Sequence, residues 1–411
     1  SLGLALAVLF VASFVIHWTQ SARAAAEESI EHGEIPLGTL AGSEVGFEGM
    51  LQSDANWFHS DVADLNGDAH DGDDADFELR RAELVLKGKG PGRLEWVIGY
   101  DAKAEKWLDT HLKFNLEGNQ SLLLGQSKQP NSLEELSSSK SNDFISKAAI
   151  TNTWAVGRRL GATYAYGSGN WGIQASAFSR ELTRGNAEGD GFAVRGTLAP
   201  INEKGRVLHL GLSHARYDAR LAGSDAQRWR ARPQADLAGV RLVDTGTLAN
   251  ADTVQTIGAE ALWMQGPFKL QGEYMRSSTT RGGGFDDFSG SGAYLSALWN
   301  VTGERWGYKA GTPATPKPDR PATGMLQLGL RYDTLDLDDG SVDRSGAIPV
   351  VDGVLGGRMD AWTVGANYYW QSNFKLALNY VKARTSRYSA TTGTDVDDDP
   401  GIVELRAQLF W

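Results

Sequence analysis

The residues best suited to chemistry in this chain are arginines. Arg80 and Arg81 are adjacent, and Arg216, Arg220, Arg228, Arg230 and Arg232 fall within seventeen residues. A guanidinium is a planar fork that grips phosphate or carboxylate through two parallel hydrogen bonds, where a lysine acts as a point charge. The second set can therefore hold oxyanions, or it can be a solvated basic run. Catalytic groupings are scarce. Ser213 has His214 beside it and His209 on the same strand, but neighbouring strand residues point to opposite faces, so no Ser–His dyad follows. Gly282-Gly283-Gly284 lacks the strand–turn–helix setting of a phosphate-cradling loop and reads as flexibility. With no cysteine there is neither a disulfide scaffold nor a thiolate metal site. No catalytic residue, metal site or cofactor is expected, and a net charge of −11 argues against a nucleic-acid partner.

What must position these residues is a set of alternating strands. The last eleven residues, Gly401–Trp411, place Val403, Leu405, Ala407, Leu409 and Trp411 in one row and Glu404, Arg406 and Gln408 in the other. That period of two, ending on an aromatic, fits the closing strand of an outer-membrane β-barrel, with lipid outside and water inside. Similar segments recur at Glu44–Leu51, Phe77–Leu86, Leu94–Asp101, Trp107–Asn115, Gln120–Gln126, Arg159–Tyr166, Trp171–Leu182 and Gly191–Ala199. They continue at Val207–Tyr217, Thr253–Met264, Phe268–Ser278, Gly290–Val301, Thr323–Leu335, Asp360–Gln371 and Phe374–Ser386. The expected fold is all-β: a 16-stranded antiparallel transmembrane β-barrel over residues 44–411. A hydrophobic content of 41% suits a barrel with a wet interior, since only alternate residues need be apolar.

The connections support this parity. Links after strands two, four, six, eight, ten and fourteen are short and rich in Gly, Asn, Pro and Ser, as periplasmic turns should be. Those after one, five, nine, eleven, thirteen and fifteen are long, as outer loops should be. The short third-strand loop and the long, Pro-rich Gly303–Ala322 depart from the pattern. Residues 1–26 read as a signal peptide truncated at its start, because the apolar run Leu2–Trp18 leads into Ala22-Arg23-Ala24 and further alanines. Residues 27–43 then form a periplasmic N-terminal segment. In the second strand the alternation changes phase at Arg80-Arg81, which predicts a β-bulge that turns both guanidiniums to the lumen. One arginine facing lipid at the midplane costs about 2–4 kcal/mol. The acidic stretch Asp61–Asp76 has the ligand spacing of a calcium loop at Asp64, Asn66 and Asp68, but Ala69 and Ala75 stand where Gly and a bidentate Glu belong. It reads as a solvated outer loop, bridged to lipopolysaccharide by divalent ions.

Phe77-Glu78-Leu79-Arg80-Arg81-Ala82-Glu83-Leu84 resembles the F-x-x-R-R-A-x-L strand of the phosphate-selective porins O and P of Gram-negative outer membranes. Gly125-Gln126-Ser127-Lys128-Gln129-Pro130, followed by Leu133-Glu134-Glu135-Leu136-Ser137-Ser138, is similar to that family's next motif, and Arg228-x-Arg230-x-Arg232-Pro233 to its Arg-rich fifth loop. The resemblance implies a trimeric, anion-selective porin in the cell outer membrane. It would carry inorganic phosphate or similar small anions, contact lipid and lipopolysaccharide, and fold with the barrel-assembly machinery. It also implies that the third outer loop, Ser127–Arg158, folds into the lumen with Lys128 at the constriction. Arg80, Arg81, Arg216, Arg220, Arg228, Arg230 and Arg232 would form a ladder for anions. Where the family has F-x-E-R, this chain has Phe144-Ile145-Ser146-Lys147, and Glu134 and Glu135 add acid. The alternatives are a general anion or polyphosphate porin, or a barrel adhesin.

Overall fold

A computed structural model describes residues 35–40, 42–67, 75–183, 187–346 and 348–411. The expected signal segment lies outside them, as does the centre of the acidic stretch, residues 68–74. Sixteen strands pair antiparallel with their neighbours in sequence. They are β1 (Ser43–His59), β2 (Ala75–Lys89), β3 (Leu94–Asp101), β4 (Lys106–Asn115), β5 (Gln120–Lys128), β6 (Arg158–Gly167), β7 (Trp171–Phe178) and β8 (Gly191–Glu203). The remaining eight are β9 (Arg206–Asp218), β10 (Ala251–Gln265), β11 (Phe268–Arg281), β12 (Phe288–Asn300), β13 (Met325–Asp343), β14 (Val350–Trp370), β15 (Phe374–Ser389) and β16 (Gly401–Phe410). β16 pairs with β15 on one side and with β1 on the other, from Met50 opposite Phe410 to His59 opposite Gly401. The sheet thus closes on itself and satisfies every strand edge without water, as a span through lipid demands. A short strand, Ile35–Leu40, pairs with the start of β1, inside the expected periplasmic segment.

The two rows of each strand meet different surroundings. Val403 and Leu405 are exposed, while Glu404, Arg406 and Gln408 are 0%, 4% and 2% exposed. Outward apolar residues such as Leu212, Ile257, Leu295 and Trp362 are left bare for lipid. Aromatic pairs stand at the ends of these rows: Tyr166 against Trp171, Phe268 against Trp299, Trp370 against Phe374. The bulge is where the phase change put it. Gln52 faces Arg81 and Ser53 faces Leu79, so Arg80 is the extra residue.

Two kinds of boundary differ from the sequence reading. β13 and β14 run on as a hairpin past Leu335 and Asp360, leaving only residues 344–349 as a link where a long loop was expected. Their acidic extension Asp336–Asp343 lacks an apolar row because it pairs outside lipid. The link after β11 likewise shrinks to residues 282–287. The long Gly303–Ala322 connection contains a small hairpin, Gly307–Lys309 with Thr312–Ala314. It is tied to the barrel wall: the Tyr308 hydroxyl meets His209 Nδ1 at 2.6 Å, and Arg195 Nη2 donates to the Gly311 carbonyl at 2.8 Å.

The third outer loop, residues 129–157, carries two short helices, α1 (Leu133–Leu136) and α2 (Ala149–Trp154). Ser132 caps α1 by accepting from the Glu135 amide at 3.2 Å. The loop's backbone bonds to side chains on many strands, among them β11 and β13–β16. Glu273 of β11 accepts from the Leu133 and Glu134 amides at 2.9 and 2.8 Å, and Asp333 of β13 accepts from the Ala149 amide. Asn367, Lys375 and Arg406, on β14, β15 and β16, donate to the carbonyls of Asp143, Asn142 and Ile145 at 2.7, 2.6 and 3.0 Å. Ile150 and Trp154 of this loop join Trp229 and Val243 of the fifth loop, residues 219–250, in one apolar cluster with β7–β14.

Candidate anion site

The β2 bulge and the fifth loop bring arginines together. Arg80 Nη2 reaches Asp236 Oδ2 of the fifth loop at 3.2 Å, and Arg81 Nη1 reaches Glu83 Oε1 two residues along its own row at 3.0 Å. The loop is pinned at several points around this contact. Gln234 accepts from Arg331 Nη2 at 2.7 Å, Trp229 Nε1 donates to Thr279 at 3.1 Å, and the Gly239 amide donates to the Leu65 carbonyl at 2.7 Å. Leu237 and Ala238 pack with Phe58, Val381 and Ile402. The loop therefore spans from the β9–β10 side to the β15–β16–β1 side.

Arg232 and Arg241 of that loop lie within electrostatic reach both of Asp236 and of Arg230. Partial burial first, then Arg232 and Arg230 beside it, pull the Arg241 guanidinium down to about 10, so it stays charged at neutral pH. Arg232 is lowered by burial and by Arg80 and Arg230, against Asp236. Burial alone would raise Asp236, but Arg80, Arg406 and Arg81 outweigh it and hold the carboxyl below its usual range. Asp236 thus lies within electrostatic reach of Arg80, Arg81, Arg232, Arg241 and Arg406, with Glu83, Glu78 and Asp244 also facing members of the group, and the guanidinium donors left over can bind an oxyanion.

The other expected residues lie elsewhere. Arg228 is held bidentately by Asp244 at 2.8 and 2.5 Å, and Arg220 pairs with Asp225 at 3.0 Å on the exposed outer surface. Arg216 is a correction. It shares the exposed outward row of β9 with Leu210 and Leu212, not the buried row of His209 and Ser213. A single continuous ladder of all seven arginines is not formed. Lys128 is drawn under the third loop, where its Nζ donates to the Glu135 and Ser137 carbonyls at 2.5 and 3.0 Å.

Other cations went unread in the sequence. Lys87 of β2 and Lys140 of the third loop share Glu48, at 2.6 and 2.9 Å. Lys147 pairs with Glu135, and Arg158 Nη2 meets Asp109 at 2.9 Å. Lys87 was legible, since it continues the row of Arg81 and Glu83. Lys147 was visible only as the residue at the arginine position of the F-x-E-R run, and Arg241 and Lys140 gave no signal, because loop residues have no periodicity to place them.

A family model described as phosphate-selective porin O and P matches residues 51–411. The chain belongs to that family. It is therefore an outer-membrane porin barrel of a Gram-negative bacterium. Porin O of Pseudomonas aeruginosa is 28% identical over 239 residues, which is 53% of each chain. The chain spans between about half and three fifths of the length of the curated relatives it matches. Among solved structures, the outer membrane channel DcaP of Acinetobacter baumannii shares the porin barrel over 92% of this chain and 100% of its own, with a TM-score of 0.57 at 12% identity. The anion-selective porin from Comamonas acidovorans does so over 90% and 100%, with a TM-score of 0.55 at 14% identity.

Proposed function

We propose that this porin is a passive diffusion channel for small anions, inorganic phosphate among them, with Arg80, Arg81, Arg230, Arg232 and Arg241 as its recognition group. The observation that carries the reading is the meeting of bulge and loop arginines around the carboxylate of Asp236. An anion passing there exchanges part of its hydration for charge-assisted hydrogen bonds. Conduction needs sites weak enough to leave as well as enter, and Asp236 weakens this one by occupying part of the arginine donors. The third loop, fixed to the rows of β11 and β13–β16, narrows the passage, with Lys128 holding its shape. Family membership and the anion selectivity of the Comamonas porin support anion transport, and the fold is shared with OmpT of Vibrio cholerae, which has a trimer form. A homotrimer is part of the proposal.

Planar-bilayer recordings in chloride with added phosphate test it. The reading expects a reversal potential of the anion-selective sign and a chloride current blocked by millimolar phosphate. Cation selectivity would overturn the whole proposal. Anion selectivity without block would leave a general anion porin, whose acidic outer loops only shape entry.

A further inference from the structure

Arg216, displaced from the anion ladder, belongs to a patch on the outside of the barrel. Strand register sets its neighbours. Across β9, β10, β11 and β12, one level reads His214, Ile257, Arg276 and Ser291, and the level beyond reads Arg216, Gln255, Ser278 and Ser289. One level inward are Leu212, Ala259, Tyr274 and Ala293, which belong to the lipid-facing surface. Arg216 and Arg276 are both exposed. Among the described residues Arg216 has no hydrogen-bond or ion-pair partner, and Arg276 has only the Ser289 hydroxyl at 3.1 Å.

Height places the patch at the edge of the hydrocarbon. Ser278, level with Arg216, is ten residues beyond Phe268, whose ring stacks on Trp299 in the periplasmic girdle. At about 3.4 Å per residue and a tilt of about 40°, that is roughly 26 Å along the membrane normal, against an apolar band about 25 Å tall. Two arginines kept on an outward row face a cost in lipid that vanishes only at the interface. Two strand spacings, roughly 10 Å, separate their strands, so both side chains can reach one group seated over Gln255. Of the outward carboxylates nearby, Asp218 and Asp252 lie further out, and Asp336, at the level of Ser291 on β13, is already paired with Arg358 Nε at 3.1 Å.

We propose that His214, Arg216, Gln255 and Arg276 form a headgroup site for a phosphate-bearing glycolipid of the outer leaflet. The acyl chains lie on Leu212, Ile257 and Leu295, and the phosphate takes the two guanidiniums. This site is independent of the channel reading and survives its failure.

The test uses the refolded full barrel in detergent, with purified lipopolysaccharide and its dephosphorylated form as probes, read by native mass spectrometry. The unmodified protein is expected to retain the phosphorylated form at least tenfold more tightly. Equal retention of the two forms overturns the proposal without any variant. In the double variant Arg216→Gln, Arg276→Gln that preference is expected to fall at least fivefold, with folding followed by heat-dependent electrophoretic mobility. A folded double variant that keeps the full preference also overturns it. If the variant does not fold, Arg216→Lys with Arg276→Lys replaces it and is expected to keep part of the preference, and an undiminished preference for the phosphorylated form there counts against the fork geometry.

Discussion

Arg406 of β16 and Asp54 of β1 face each other across the seam that closes the barrel, joined by two hydrogen bonds of 2.6 Å each. Both side chains are almost fully buried, at 4% and 1% exposure, and Arg406 also donates to the Ile145 carbonyl of the third loop. The pair therefore joins the first strand, the last strand and the loop.

Breaking this pair from one side leaves a buried charge without its counterion, which costs about 3–5 kcal/mol. Asp54→Ala is expected to lower the denaturation midpoint of the folded barrel markedly, as read by heat-dependent mobility in gels. The double change Asp54→Leu with Arg406→Met should cost less than either single change. A single variant as stable as the parent would show that the seam does not depend on the pair.

In the proposed site, Asp236 would compete with permeating anions for the same guanidiniums. Asp236→Asn removes that competitor, so phosphate is expected to block chloride current at concentrations about tenfold lower, a difference of about 1.4 kcal/mol in binding. Arg230→Gln and Arg241→Gln should move the block the other way. Titration of single-channel current with phosphate decides the matter, and a weaker block in Asp236→Asn would refute the assignment of the site.

Lys128 acts through the loop it holds. Lys128→Ala frees the Glu135 and Ser137 carbonyls and loosens α1. Its anion preference is expected to fall more than that of Arg230→Ala, together with a rise in conductance noise. Reversal potentials of the two variants side by side test this ranking, and equal or inverted losses defeat it.

Acid should act on the same loop through Glu135. Burial alone would raise this carboxyl, but Lys147 and then Lys128 pull it from 4.5 down to about 2. A carboxyl depressed in the folded state contributes stability that is fully present above its unfolded value and is lost as pH falls through the folded one. The loop is therefore expected to stay ordered near neutrality and to loosen progressively between about pH 4.5 and pH 2. Recordings stepped through this range should show growing current fluctuation, and Glu135→Gln should remove most of the dependence.

Most of the barrel could be read from the residues, because each wall strand obeys one local rule. Leu405 beside Arg406 is enough to say which row meets lipid, and the phase slip at Arg80 is enough to predict a bulge. The same rule, applied to β9, assigns Arg216 to the row of Leu212, and the sequence reading went wrong there by grouping arginines by proximity in the chain. The contact of Asp236 with Arg80 was beyond reach. It joins residues 156 positions apart through a loop whose path is set by Trp229, Leu237 and Gln234 docking on distant strands. The β13–β14 extension was hidden for a different reason: strands outside lipid need no apolar row.

Several anchors of the third loop lie on strands that leave the ribosome well after it. Asp333, Asn367, Lys375 and Arg406 all lie at least 176 residues downstream of residue 157. Phe144, Ile150 and Trp154 consequently have no apolar surroundings to enter until the wall around them exists. Docking of this loop is thus a late event, and a chain stalled before β13 and β14 would still show these side chains to chaperones and proteases.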